Sequence, residues 1–265
     1  MESLLQPVEV VLPAGVMEGD KVVTSAQIVP MTGKTRKDIA RADVRRDSTK
    51  VTETILQNCV KSIGDSPIDR RTFQRLILGD REFLLLQIRK ISKGDDVKYS
   101  MACGTCEEPF HGTFSITNDV PVYPMPKDVE VLTDESGVSL RTFRVKSDEM
   151  AIDAVFRYPF GVDQAEIAKS MRANPVASVY TLLWRCLISL NGSPQMDIPK
   201  NIFEEMPLPA LDFIQGEFYS HQPGPDFSEP VRCPNCGAEN QMVFQSADFF
   251  FDPETTRRKR QEKPV

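Results

Sequence analysis

The chain has almost no histidine: His111 and His221 are the only two in 265 residues. That scarcity removes most routes to hydrolytic chemistry. No Ser-His-Asp grouping and no His-rich metal motif can be assembled. His111 stands five residues after Cys106, but beside four cysteines it reads as a surface or near-site residue rather than a ligand. A glycine-rich phosphate cradle is also missing. Met31-Thr32-Gly33-Lys34-Thr35 ends like a phosphate-binding loop, yet that motif needs a further Gly five residues before Gly33, and the position holds Ile28. Nucleotide binding is rejected there, and no enzymatic role is expected.

Other absences narrow the class further. No apolar run approaches eighteen residues, so no spanning helix is expected. The stretch Met1 to Pro7 has neither a basic start nor an apolar core, which predicts no signal peptide and cytosolic synthesis. Positive charge is not in excess: 32 basic residues against 38 acidic ones leave a net charge of −6, unlike a globally cationic nucleic-acid binder. Internal repeats and low-complexity blocks are absent. The 40% apolar and 26% charged content is that of an ordinary folded chain, long enough for one large domain or two modest ones.

What the chain does have is cysteine in a suggestive arrangement. Cys103-Gly104-Thr105-Cys106 and Cys233-Pro234-Asn235-Cys236 are two C-x-x-C turns. Each lies between strand-like runs: Val97 to Ala102 and Phe110 to Ile116 around the first, Glu229 to Arg232 and Gln241 to Gln245 around the second. Two such hairpins present four thiolates in the tetrahedron that Zn²⁺ favours in closed structural sites. Cys103, Cys106, Cys233 and Cys236 are therefore the expected ligands of a structural Zn²⁺. The pairs are 126 residues apart, against about 15–20 in common four-cysteine sites. Stretching the loop about sevenfold costs roughly 1.7 kcal/mol by chain statistics. Structural zinc contributes on the order of 10–16 kcal/mol, so the insertion is affordable. Redox chemistry fits less well, because a reactive pair usually opens a helix. The other two cysteines, Cys59 and Cys186, fall in apolar helical patterns and read as small core residues.

The rest of the chain follows a coarse pattern. Val8 to Pro30 reads as an extended arm or edge strands, and residues 34–50, with seven basic and three acidic side chains, as a basic connector or a face for an acidic partner. Helices are expected from Asp47–Ser48 to Ile63, from Ile68 to Leu78 with Gly79 as stop, and from Asp80 to Ser92. After the first cysteine pair, Val120 to Pro126 is a stiff connector. Val129–Leu132 and Val138–Val145 bracket a hairpin turn. Asp163 and Glu166 suit a helix start. Val176–Leu190 and Pro209–Tyr219 are the most apolar helical stretches. One or two of Phe249, Phe250 and Phe251 are expected to cover the zinc ribbon or to dock on another subunit, and Arg257 to Arg260 lie in a tail expected to be disordered.

The order of these pieces carries a resemblance. Leu12-Pro13-Ala14-Gly15, Ile28 to Gly33, Phe83 to Arg89, the first cysteine pair, Phe156-Arg157-Tyr158-Pro159-Phe160-Gly161-Val162-Asp163, Pro223 to Asp226, the second pair with Gly237, and Phe249-Phe250 follow in sequence. Together they resemble the baseplate hub and tail-assembly proteins of contractile-tailed phages, the family typified by the T-even baseplate hub subunit. The resemblance implies a virion structural protein or assembly factor that contacts other baseplate and tail proteins, with no catalytic residues, no small-molecule substrate and no membrane. It implies assembly in the host cytoplasm and final residence in the tail baseplate. The expected fold is α+β: a split four-cysteine zinc ribbon (95–118 and 227–251), an extended N-terminal arm and connector (1–50), a helical region (51–94), a hairpin plus mainly helical insertion (119–226), and a tail (252–265). Two other readings stand beside it, a transient tail-assembly chaperone and a zinc-ribbon nucleic-acid-binding or regulatory protein. The second is weakened by the acidic turn residues Glu107, Glu108 and Glu239.

Overall fold

The computed structural model describes residues 6–41, 48–133, 139–227, 230–241 and 250. Strands β1 (Val8–Glu18) and β2 (Lys21–Ile28) form an antiparallel hairpin rather than a free arm. Between Val11 and Val16 four residues of β1 face only Thr24 of β2. This bulge is the Leu12-Pro13-Ala14-Gly15 element. It tolerates a proline, because no ladder N–H is required there, and it turns Leu12 and Ala14 into the interior. Of the two expectations for this stretch, the structure shows strands rather than a free arm: Leu12, Ala14, Ala26 and Ile28 bury against their own chain, while Val8, Val11 and Val22 stay exposed.

Helices α1 (Gly33–Arg41) and α2 (Ser48–Cys59) follow, then β3 (Val60–Ile63) and β4 (Ser66–Pro67), which complete a four-stranded sheet in the order β1-β2-β3-β4. The helix expected to reach Ile63 stops at Cys59. Val60–Ile63 instead pairs with the open edge of β2, Ala26 opposite Ile63 and Ile28 opposite Val60. Backbone pairing with a waiting edge outweighs the weak helical preference of this short run. Thr35 of the rejected phosphate-loop motif is buried in α1, its hydroxyl turned to that of Thr32.

Helix α3 (Arg70–Arg75) is capped by Asp69, whose carboxylate accepts from the Thr72 N–H and hydroxyl. Helix α4 (Leu78–Lys93) then runs through the middle of the molecule. Gly79, expected as a stop, lies inside the first turn of α4. A Cβ on it would sit 1.8 Å from the Pro223 carbonyl oxygen, and Gly224 presses on it from the same side. The residue is glycine because two backbones touch. Gly79→Ala sets a helix-propensity gain of about 1 kcal/mol against a clash with rigid backbone, and overpacking of that kind costs about 1–3 kcal/mol. Urea unfolding of G79A is expected to show net destabilisation, whereas an exposed helical glycine would show a gain.

Beyond α4 come the hairpin β5 (Asp96–Ala102) and β6 (Pro109–Ser115), then β7 (Val122–Tyr123). Strands β8 (Glu130–Thr133), β9 (Ser139–Ser147) and β10 (Ile152–Arg157) form a meander. Its alternation is plain in β10, where Ile152, Ala154 and Phe156 are buried and the residues between them are half exposed. Helices α5 (Gly161–Ala173) and α6 (Pro175–Cys186) lead to β11 (Leu187–Leu190) and β12 (Ser193–Pro194). The long apolar helix expected to end at Leu190 ends at Cys186, and β11 pairs with β10. Short α7 (Ile202–Glu205) and α8 (Leu208–Ser220) pack on this antiparallel sheet, ordered β12-β11-β10-β9-β8. The insertion expected to be mainly helical is therefore a sheet covered by helices. The chain ends its described course in β13 (Gly224–Pro225), paired with β7, and in β14 (Val231–Arg232) and β15 (Glu239–Asn240).

Two apolar cores result. The first gathers the β1–β4 sheet, α2, α4 and the base of the β5–β6 hairpin, including Val97, Phe114 and Ile116. Phe250 also packs in this core, which holds the base of the hairpin that carries the first cysteine pair, and its carbonyl accepts from Lys93 Nζ at 2.7 Å; Phe249, Phe251 and the tail lie outside the described residues. The second core unites the five-stranded sheet with α5–α8 around Phe143, Phe156, Phe203 and Phe218. Cys59 and Cys186 are fully buried, one in each core, and burial pushes their thiols up to about 11 and about 12.

The cores meet along the short motifs. Asp80 Oδ1 accepts from Ala14 N at 2.8 Å, while Arg141 donates to the carbonyls of Ala14 and Gly15. Leu78 N donates to Pro159 O, and Gly161 N returns a bond to Leu76 O. A Cβ on Gly161 would lie 2.5 Å from Arg81 Nη1. The buried charge Asp163 anchors the same corner. It accepts two bonds from Arg157, one from Arg185 Nε and one from Phe160 N.

Candidate metal centre

The β5–β6 and β14–β15 hairpins end in two turns with matching backbone bonds. In the first, Cys103 N donates to Glu108 O and Glu107 N to Cys103 O, both at 3.0 Å. In the second, Cys233 N donates to Ala238 O and Gly237 N to Cys233 O, both at 2.9 Å. The residue after the second cysteine is left-handed in each, Glu107 at φ 60° and Gly237 at φ 74°. Glycine meets that requirement without strain in the second turn; Glu107 meets it at a cost of about 1 kcal/mol. In the first turn Thr105 N also points at the first sulfur, Cys103 Sγ, at 3.4 Å.

The turns face each other. Cys103 Sγ is 3.6 Å from Cys236 Sγ, and Cys106 Sγ is 3.8 Å from Cys233 Sγ. All four sulfurs lie within 4.8 Å of one another. The four sequence-predicted residues are thus brought together across the long insertion, close enough to bind one metal ion. Cys103 and Cys233 are buried, Cys236 is at the surface, and Phe110, Tyr99 and Met101 form a small apolar floor. His111, among the described residues, does not join the group.

Electrostatics single out this cluster. Backbone N–H groups of Cys106 and Thr105, with the Asn240 amide assisting, draw the Cys103 thiol down to about 6. The Glu108 N–H favours the Cys106 thiolate, but desolvation and three neighbouring sulfurs push that group up to about 12. Thiolates so close repel one another, and all four ionise together only beside a cation. Four sulfurs would also fill a tetrahedral shell, leaving no position for a water.

One contributor escaped sequence reasoning. Asn240, buried on β15, reaches from the second turn to the first: its Oδ1 accepts from Gly104 N at 2.8 Å. An isolated Asn four residues beyond Cys236 carries no motif, so no local signal marked it.

A family model described as T4 bacteriophage base plate protein matches residues 16–252, a span that includes both cysteine turns and most of both cores. No curated protein and no solved structure matches the chain.

Proposed function

This chain belongs to the T4 bacteriophage base plate protein family, and from that membership we propose that it is a structural component of a contractile-tail baseplate, at the hub or joining wedge parts. It works by contact with other baseplate and tail proteins, is assembled in the host cytoplasm, and performs no catalysis. Cys103, Cys106, Cys233 and Cys236 hold a structural Zn²⁺ in a split zinc ribbon that clasps the second turn onto the first. The observation that carries the reading is the family match across residues 16–252. A closed four-sulfur site agrees with it, since such zinc stabilises a fold and does not activate water.

Two surfaces suit partner contact. The outer side of the β1–β2 hairpin exposes Val11 and Val22. Helix α1 buries Thr35 and Ile39 while Lys34, Arg36, Lys37 and Arg41 face outward, a basic face for an acidic neighbour. Mass spectrometry of purified tails, with electron microscopy of the same particles, tests the proposal. The protein is expected at a fixed copy number in the baseplate density. Absence from finished particles would overturn the permanent-subunit reading in favour of a transient assembly chaperone.

A further inference from the structure

The Asn240 carboxamide makes three hydrogen bonds, and together they span the two turns. Its Oδ1 accepts from Gly104 N at 2.8 Å. Its Nδ2 donates to Ala238 O at 2.9 Å and to Cys103 Sγ at 3.6 Å. The orientation is determined by these partners. A flipped amide would set its NH₂ against the Gly104 N–H and its oxygen against both the Ala238 carbonyl and the sulfur. The side chain is buried, so unmade bonds would not be replaced freely by water. The backbone around it is short: β14 and β15 have two residues each.

We infer that Asn240 is the positioning residue of the four-cysteine site. It sets the second turn against the first and donates to the Cys103 thiolate, which organises the sulfurs before a metal arrives. The inference rests on the metal-binding reading of the cysteines. Its physical basis is general: groups hydrogen-bonded to metal ligands orient them and moderate their charge, and losing one typically lowers metal affinity 10–100-fold. The donor to sulfur and the acceptor for Gly104 are separable. Asn240→Asp keeps size and the acceptor while replacing the donor with a negative charge; Asn240→Ala removes both.

Full-length wild type, N240A and N240D would be titrated with Co²⁺, then with Zn²⁺ in competition with a chromophoric chelator, after their far-UV circular dichroism has been matched. Wild type is expected to show the sulfur-to-cobalt charge-transfer absorption of a four-thiolate site. Both variants are expected to bind 10–100-fold more weakly. In N240A the charge-transfer band should also move to lower energy, because a thiolate without its donor is more easily oxidised. Affinities within twofold of wild type in both variants would overturn the positioning role. A loss in N240A with N240D unchanged would overturn donation to sulfur and reduce Asn240 to a strut for Gly104. Wild type that takes up neither metal would overturn the metal-binding reading itself, an outcome distinct from either of the others.

Discussion

Replacing Asp163 by alanine is expected to lower the unfolding free energy by about 3–5 kcal/mol, the usual cost of leaving buried charge without its partner. Asp163 is fully buried at the start of α5, and its carboxylate is shared by a strand, a helix and the connection just before α5. Arg157 of β10 binds it through both terminal nitrogens, at 2.7 and 3.0 Å. Arg185 of α6 adds a 2.7 Å bond, and Phe160 N caps it at 2.9 Å. Removing it leaves Arg157, over the Phe160 ring and largely enclosed, with carbonyl partners alone. Burial by itself would raise the carboxyl's pKa. The hydrogen bond and charge of Arg157, the Phe160 N–H and Arg185 together hold it below the ordinary 3.8. A depressed folded value means that the stabilisation is present above about 3.8 and is lost as pH falls through the lower folded value. The gap between wild type and D163A in urea unfolding should therefore be full at pH 7 and narrow in stronger acid. Asp80 acts with the opposite sign. Burial, against the pull of the Ala14 N–H and Arg141, raises it to about 6, so its contribution improves as pH falls from about 6 to 3.8. A D163A curve parallel to wild type from pH 7 to 3 would contradict the assignment.

Asp163 also shows where sequence reading stops. From the sequence it reads as the start of a helix, and in the structure it lies in the first turn of α5. Its two arginines come from a strand before it and a helix after it, and only the folded chain brings them to one point. The same division runs through the molecule. The C-x-x-C pairs were legible because the chemistry of two thiols at that spacing depends little on context. The hairpin of Val129–Leu132 with the strand to Val145 is legible from the turn residues Thr133 to Gly137 between the two runs, and the helix ending near Tyr219 from Leu211, Ile214 and Phe218 on one side. The errors fell on Val60–Ile63 and Leu187–Leu190, short apolar runs that continue a helical pattern but pair with a neighbouring strand. Their state is set by a distant edge, not by their own residues. Gly79 failed similarly: glycine was read as punctuation, whereas its cause is the backbone of Pro223 and Gly224. The insertion reads as mainly helical because Leu187–Leu190 continues the apolar pattern of α6, whereas in the structure this run joins β10 in the sheet.

The largest effect is expected at the cysteines themselves. Cys103→Ser or Cys233→Ser replaces one thiolate in a closed set, and a hydroxyl is a poor ligand for the soft, thiolate-rich site proposed here. Zinc binding on the order of 10–16 kcal/mol far exceeds what the second turn gains from its own structure, two paired strands of two residues with a single apolar neighbour cluster. Metal content measured by inductively coupled plasma mass spectrometry should fall to near zero in both variants. The architecture also predicts where the damage is confined. Residues from β8 to α8 have their own core, and β13 is locked between β7 and the Gly79 backbone, so neither depends on the clasp. Limited proteolysis of the variants should therefore cut first between residues 227 and 241, and only later inside the helices of the insertion. Cleavage spread evenly through residues 107–232 would mean that zinc holds the whole insertion, and the junction at Asp80, Arg141 and Gly161 much less. Normal zinc stoichiometry with wild-type protease resistance in both variants would remove the clasp altogether, because two sulfurs from opposite turns would then be dispensable.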